Sequence, residues 1–195
     1  MVGEMIKLIG TTHLMSKEEI YKILNDNKPD IIAVELCEVR VGLKPLTIDE
    51  NYLIMKIGKA TKQKAEKENV VYGSDMISAV LYANENKIRV GLIDRDLIET
   101  SKLMEKIPSN ELVSFLKEIS ELENKNLKKE VDSFDAEKEI NELKTKYPIS
   151  YEFLVASRDL FMANKLLRLE KNNPNKKIIA FVGKGHLKVI DELIK

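Results

Sequence analysis

The sequence predicts an α/β domain in which helices flank a central β-sheet. Apolar runs of strand length alternate along the chain with segments of helical periodicity, which is typical of β–α–β units. The two histidines of the chain close the same pattern, Gly-x-x-His, and each pattern directly follows an apolar run. Ligands of open α/β sheets bind beyond the carboxyl ends of the strands. We therefore expect one site, built from the two ends of the chain.

The first elements predicted are a strand, a helix and a second strand. Residues 5–9 form an apolar run, and residues 16–19 form a capping box that predicts a helix to about Asn27. A turn at residues 28–30 leads into a mostly apolar run at residues 31–36, which suits a strand covered on both faces. This order predicts a β–α–β unit with a right-handed crossover.

The middle of the chain predicts two helices, a third strand and a helical hairpin. A second capping box predicts a helix over residues 47–68, and a further helical pattern follows residue 73. Residues 88–93 form a strand that ends in an Asp-Arg-Asp sequence. From residue 108 to residue 147 lysine and glutamate dominate, with sparse apolar positions at helical spacing. We interpret this stretch as a charged helical hairpin inserted beside or over the sheet.

The end of the chain predicts a long helix, a strand and a closing helix. The long helix covers residues 148–171, and the strand at residues 178–182 leads into the second Gly-x-x-His pattern. We interpret residues 1–195 as a single domain with a helical insertion at about 108–147. The apolar stripes of that insertion could pack against a second copy of the chain, so a homodimer is one of the alternatives.

Charge and composition argue against two classes of partner. With 32 basic and 32 acidic side chains the formal net charge is zero, which argues against binding driven by nucleic-acid phosphates. The apolar runs are far shorter than the roughly 20 residues that span a bilayer. The single cysteine, Cys37, excludes an internal disulfide. We expect a soluble cytoplasmic domain without a membrane span.

Polar side chains stand at the predicted strand ends. Glu35 ends an apolar strand, and a buried carboxylate there must meet a cation, a metal or several hydrogen-bond donors. Asp94 repeats this situation at the next strand end, beside Arg95. With His13 and His186, Glu35 makes a familiar ligand set for zinc, manganese, iron or cobalt. Such an ion would polarise a carbonyl and lower the pKa of its bound water.

The two Gly-x-x-His segments also resemble anion cradles, in which backbone N–H groups at a helix N-terminus face a ligand. Arginine suits planar, bidentate recognition that lysine does poorly, and three arginines lie in the polar segments. The candidate ligand-binding residues are Gly10, Thr11, Thr12, Arg40, Asp94, Gly183 and Gly185.

The ordered series of polar segments resembles the TraB family, which includes pheromone-shutdown proteins and is related to Tiki and GumN-type proteins. The resemblance covers nearly the whole chain and rests on residues 9–13, 29–37 with Arg40, 72–76, 92–96 with Thr100, 157–159 and 182–186. The family often has glutamate where this chain has Asp75 and Ser157, which puts any role of those positions in doubt. Many members also carry C-terminal membrane segments, so this chain is expected to be the soluble domain alone.

The resemblance implies an α/β fold with a central mixed sheet, akin to the erythromycin-esterase-like (EreA) and haem-binding ChaN-like proteins. In the Tiki branch the paired motifs and a glutamate are associated with metal-dependent peptide hydrolysis. That association maps onto His13, His186 and Glu35, with Arg158 as a carbonyl or carboxylate binder. In the pheromone-shutdown branch the role is to block a peptide signal.

Three functions follow as hypotheses. The first is a hydrolase of a peptide or a related amide or ester, using Mn, Co or Zn, with catalytic Glu35 and with Arg158 or Arg95 stabilising negative charge. The second is a non-catalytic protein that binds or sequesters a peptide, with arginines gripping a carboxylate. The third is a haem or metal carrier that uses an exposed histidine as a ligand.

Overall fold

Four strands form one sheet. The computed structural model describes residues 5–12, 15–44, 73–127 and 136–195, with the backbone alone for residues 122–127, 136 and 137. The strand order is β1-β4-β2-β3, and the strands are β1 (Ile6–Thr11), β2 (Ile31–Val34), β3 (Arg89–Leu92) and β4 (Ile178–Gly183). The α/β class is thus confirmed. A mixed sheet was expected, whereas the strands within the described ranges pair only in parallel.

The two central strands, β2 and β4, are buried along their whole length. Their near-continuous apolar sequences suit a sheet with helices on both faces. The side chains of alternate β4 residues point to opposite faces of the sheet. Ile178 and Val182 pack in one core cluster, and Ile179 and Phe181 pack in the other. The sheet is therefore covered on both sides, and its strand ends remain as the places where polar groups gather.

The helices around the sheet begin where local sequence favours them. α1 (Lys17–Asn27) starts at the predicted capping box, in which the side chains of Ser16 and Glu19 each bond the other's backbone N–H. α2 (Ser74–Glu85) was also predicted. α3 (Leu97–Met104) was not, although the carboxylate of its N-cap Asp96 accepts the Ile98 N–H at 2.8 Å.

The charged segment forms the two expected helices, α4 (Ser109–Leu127) and α5 (Ala136–Lys146). Their buried side chains Phe115 and Leu143 share a core cluster with Tyr151 and Val155, which belong to the next helical segment. The hairpin therefore packs on a helix, and that cluster contains no strand residue.

The long helix predicted for residues 148–171 is continuous but changes register. It consists of α6 (Pro148–Tyr151), a π-helical turn (Glu152–Ala156) and α7 (Ser157–Lys171). In the π turn the N–H of Ser157 reaches the carbonyl of Glu152, five residues back. The carbonyl of Phe153, in this turn, accepts from the Ser157 hydroxyl and from Arg95.

The last helix, α8 (Lys184–Ile194), starts directly after β4. Within the described ranges no helix combines the length and apolar character needed to cross a membrane. The helix predicted for residues 47–68, and also His13, lie outside the residues that the structure describes.

Candidate functional site

The candidate site lies at the carboxyl edge of the parallel sheet. β2 ends one residue before Glu35, β3 ends two residues before Asp94, and β4 ends at Gly183. These three strands are neighbours in the sheet and run in the same direction, so their carboxyl ends share one edge. Their polar residues can therefore meet although they are far apart in sequence.

Glu35 is a buried carboxylate, 4% exposed, whose two oxygens both have partners. Oε2 accepts the backbone N–H of Gly183 at 2.7 Å, and Oε1 lies 2.7 Å from Nη2 of Arg158. The sequence predicted that this carboxylate meets a cation, a metal or several donors. In the structure its partners include the cation of Arg158 and the backbone N–H of Gly183.

Arg158 is the central cation of this cluster. Its Nε and Nη2 each donate at 2.7 Å to the two oxygens of Asp94, a bidentate arrangement, and Nη2 also reaches Glu35. Burial alone would lower the pKa of the Arg158 guanidinium, but the charges of Glu35 and Asp94 outweigh burial and raise that pKa above its ordinary value. Arg158 therefore stays a fixed positive charge between two carboxylates.

Arg40 is the solvent-facing cation of the cluster. Its side chain is 41% exposed, and Nη1 lies 3.2 Å from Oδ2 of Asp94, whose own side chain is 1% exposed. Arg40 follows β2 in a turn. Because only one of its nitrogens is engaged in this pair, Arg40 can also contact a ligand.

His186 is oriented by a buried carboxylate. Its Nδ1 lies 2.5 Å from Oδ1 of Asp159, which is fully buried. Its Nε2 faces Nη1–H of Arg158 at 3.4 Å and Oε1 of Glu35 at 3.7 Å. These partners suit a neutral imidazole that donates from Nδ1 and keeps a lone pair on Nε2. In that tautomer the lone pair of Nε2 points toward Arg158 and Glu35.

Arg95 is buried, and its guanidinium contacts Ser157 and Phe153. Its Nη1 donates to the hydroxyl of Ser157 at 2.9 Å, and its Nη2 donates to the carbonyl of Phe153, in the π turn, at 3.0 Å. Burial lowers the pKa of this guanidinium from its ordinary value. The structure does not bring the Arg95 side chain to Glu35 or His186; it links the π turn to the loop after β3.

The remaining predicted ligand-binding residues lie in or just after β1, at the end of β4 and at the start of α8. Gly10 lies inside β1, where an added Cβ would come within 2.8 Å of Leu187, so this glycine lets α8 pack closely on the strand. Thr11 is buried, and its hydroxyl has no hydrogen-bond partner among the described residues, while Thr12 is exposed. Gly183 donates to Glu35, and Gly185 stands in the first turn of α8.

Asp159 is the site residue that sequence reasoning missed. It is fully buried in the first turn of α7, beside Arg158, and its second oxygen, Oδ2, has no hydrogen-bond partner in the part of the chain that the structure describes. The signal was an acidic residue next to a singled-out arginine at a helix start. Its pairing with His186 could not be predicted, because it depends on how α7 packs against α8.

Comparisons with known proteins find one relative that is similar over nearly the whole chain and others that are similar over a third of it. An uncharacterized protein of the archaeon Methanocaldococcus jannaschii is 32% identical over 213 aligned residues, which cover 97% of this chain and 53% of that protein. The chain thus spans about half the length of this relative. No family model matches the chain.

The TraB domain-containing proteins of mouse and human are 30% identical to this chain over 66 residues. That alignment covers 33% of this chain and 17% of each mammalian protein. A third of the chain is therefore similar to TraB domain-containing proteins.

The geometry of His186 fits a metal ligand. Metal-binding histidines commonly donate their other ring N–H to a carboxylate, as His186 does to Asp159. Two ligand atoms about 2.1 Å from a tetrahedral ion are about 3.4 Å apart, and Nε2 of His186 lies 3.7 Å from Oε1 of Glu35. Within the described ranges no three His, Cys, Asp or Glu side chains form such a group; the predicted set includes His13, outside those ranges.

Proposed function

We propose that this chain belongs to the TraB family and hydrolyses a peptide or a related amide or ester. In this proposal His186, Glu35 and His13 hold a divalent Mn, Co or Zn ion, and Arg158 and Arg40 bind the substrate. Support comes from the similarity of a third of the chain to TraB domain-containing proteins and from the ordered polar segments.

The observation that carries the proposal is the His186–Asp159 pair beside Glu35. A fully buried carboxylate fixes the imidazole by a 2.5 Å contact, and the remaining ring nitrogen faces a second buried carboxylate. Ordinary surface histidines lack such a pair. This orientation suits a metal ligand, which is the role proposed for His186.

The chain's own groups have distinct tasks around that pair. When bound, a divalent ion supplies Lewis acidity, which polarises a scissile carbonyl and acidifies water. Asp159 keeps the lone pair of His186 on Nε2. Among the described contacts of Arg158, Nη1 is the terminal nitrogen that no carboxylate takes, so it can turn to a substrate oxygen that gains negative charge.

One observation favours the alternative, a protein that binds or sequesters a peptide without cleaving it. Both oxygens of Glu35 already have partners, Gly183 and Arg158, and Asp94 neutralises the same arginine. Groups that already bond one another in this way can hold the walls of a binding cleft in place without reacting. Arg40, which is the more exposed cation, would then grip a peptide carboxylate.

Hydrolysis of a mixed-sequence peptide library, read by mass spectrometry, separates the two functions. The protein is supplied in turn with Mn²⁺, Co²⁺ and Zn²⁺, and a chelator serves as the metal-free control. We expect cleavage with at least one ion, and a loss on the order of a hundredfold in His186→Ala because this variant lacks one of the proposed ligands of the ion.

The matched pair is Glu35→Gln, at the buried carboxylate, and Glu18→Gln, at an exposed glutamate of α1. The proposal requires a large loss of cleavage in the first variant and an unchanged rate in the second. Peptides that are retained by the wild-type protein without any cleavage would establish the alternative instead. Equal cleavage by wild type and Glu35→Gln would refute the proposed site.

A further inference from the structure

An open groove of about 710 Å³ lies beside β1, between the helices α5 and α8. Its floor includes Ile6 and Leu8 of β1, and Ile140 and Leu187 form apolar walls. The groove also includes Gly185. Gly185 directly precedes His186 in the sequence.

Among the residues that the structure describes, none pairs with the outer side of β1, which faces this groove. The carbonyl of Met5 accepts the N–H of Ile178, so Met5 faces β4. Backbone groups of successive strand residues point to opposite sides, and those of Ile6 and Leu8 therefore point away from β4. Outside the β1–β4 ladder, the described hydrogen bonds reach neither residue. A row of such groups is a template for an added strand.

Lysines outnumber acidic residues along the groove. Lys144, Lys184 and Lys188 line it, against Asp191 and Glu192, while the Nζ of Lys7 donates to Asn27 of α1 instead. Asp191 is also paired with Lys195, outside the groove. The chain as a whole carries no net charge, so this local excess of positive charge is a feature of the groove.

We propose that the groove binds an extended peptide rich in acidic residues, which adds as a strand alongside β1. Main-chain hydrogen bonds to Ile6 and Leu8 give affinity, the apolar walls take alternate side chains, and the lysines contact the carboxylates. The further claim that this peptide is also the substrate rests on the proposed hydrolase function. The claim that the peptide binds in the groove is independent of that function.

Direct binding to the full chain tests the proposal. The probe is a fluorescein-labelled octapeptide of alternating threonine and glutamate, and its threonine–lysine counterpart is the control, both read by fluorescence anisotropy. We expect the glutamate peptide to bind and the lysine peptide to bind at least about tenfold more weakly, because like charges across an interface are costly. Equal binding of both peptides, or no binding of either, would overturn the proposal.

A matched pair of double variants locates the binding surface. The first, Lys144→Glu with Lys188→Glu, reverses two charges in the groove, and the second, Lys22→Glu with Lys171→Glu, makes the same net change at exposed lysines outside it. The groove variant should weaken the glutamate peptide about tenfold, which corresponds to about 1.4 kcal/mol, and the control variant should not. An equal effect of both variants would contradict the proposal.

Backbone N-methylation tests strand addition itself. One glutamate peptide carries N-methyl groups at its odd residues and another at its even residues, so each loses the donors of one edge. Strand addition requires that one of the two peptides loses binding and the other keeps it. Loss in neither or in both would contradict it. The His186→Ala variant lacks the candidate catalytic group but keeps the groove, so retained binding there separates this proposal from the hydrolase function.

Discussion

Arg158 joins two buried carboxylates that belong to different strand ends. Glu35 is 4% exposed and Asp94 is 6% exposed, and both contact the same guanidinium at 2.7 Å. Removing the cation would leave two negative charges buried next to each other. The cost of such a change is therefore much larger than that of losing a surface ion pair.

We expect Arg158→Ala to lower the free energy of unfolding by about 3–5 kcal/mol, because breaking a buried ion pair leaves an uncompensated charge. The control is Arg168→Ala, at an exposed arginine of the same helix, which should change stability by less than about 0.5 kcal/mol. Urea unfolding followed by circular dichroism measures both variants. Similar losses in the two would show that the cluster does not stabilise the fold.

At the residue scale, the sequence predicted which residues lie in the cluster better than it predicted which side chains contact each other. Glu35, Asp94, Arg40, Arg158 and His186 all lie in the cluster, because carboxylates and cations at strand ends had to find partners. The direction of the Arg95 side chain could not be predicted. It depends on tertiary contact with the Phe153 carbonyl, which lies in the π turn.

The two Gly-x-x-His patterns differ at the scale of elements. Gly10 lies within β1 and pairs with Val182, while Gly183 is the last residue of β4 and the N-cap of α8. Gly183 pairs with Thr11, so the two glycines are offset by one residue in the sheet. The shared sequence pattern therefore places similar residues in two different local structures.

Gly10→Ala and Gly185→Ala test this difference. At Gly10 an added Cβ would lie 2.8 Å from Cδ2 of Leu187, the end of a side chain that can shift, so we expect a loss of about 1 kcal/mol in unfolding free energy from overpacking. At Gly185 the nearest neighbour is Ile140 at 3.5 Å, an ordinary contact. There alanine should leave stability unchanged or raise it by up to about 1 kcal/mol, since glycine is the poorer helix former. Thermal and urea unfolding measure both; a reversed order would contradict the packing argument.

Elements with a local sequence signal were predicted, and those set by packing were not. The capping box of α1 and the stripes of the hairpin carry their own signals, and both helical segments appear where expected. The π turn at Glu152–Ala156 has no such signal, because an inserted register change is favoured by the contacts of Phe153 and Ser157 with Arg95. The helix predicted for residues 47–68 stays a prediction.

At the scale of the whole molecule, parallel topology assembles the site. Residues 35, 94, 158, 159 and 186 meet because three neighbouring strands end at one edge and α7 begins beside it. The sequence could predict this edge from alternating strands and helices. It could not predict that α7 and α8 pack closely enough to join Asp159 and His186, since that depends on tertiary contacts.

Calorimetric titration of the chelator-treated protein with Mn²⁺, Co²⁺ and Zn²⁺ tests the central claim most directly. The claim predicts one bound ion per chain. Asp159→Asn should weaken its affinity by about 10–100-fold, as loss of the carboxylate that orients a histidine ligand does. The matched change Asp26→Asn, at an exposed aspartate of α1, should leave affinity unchanged. Absence of binding by the wild-type chain, or equal affinities in wild type and Asp159→Asn, would contradict the claim.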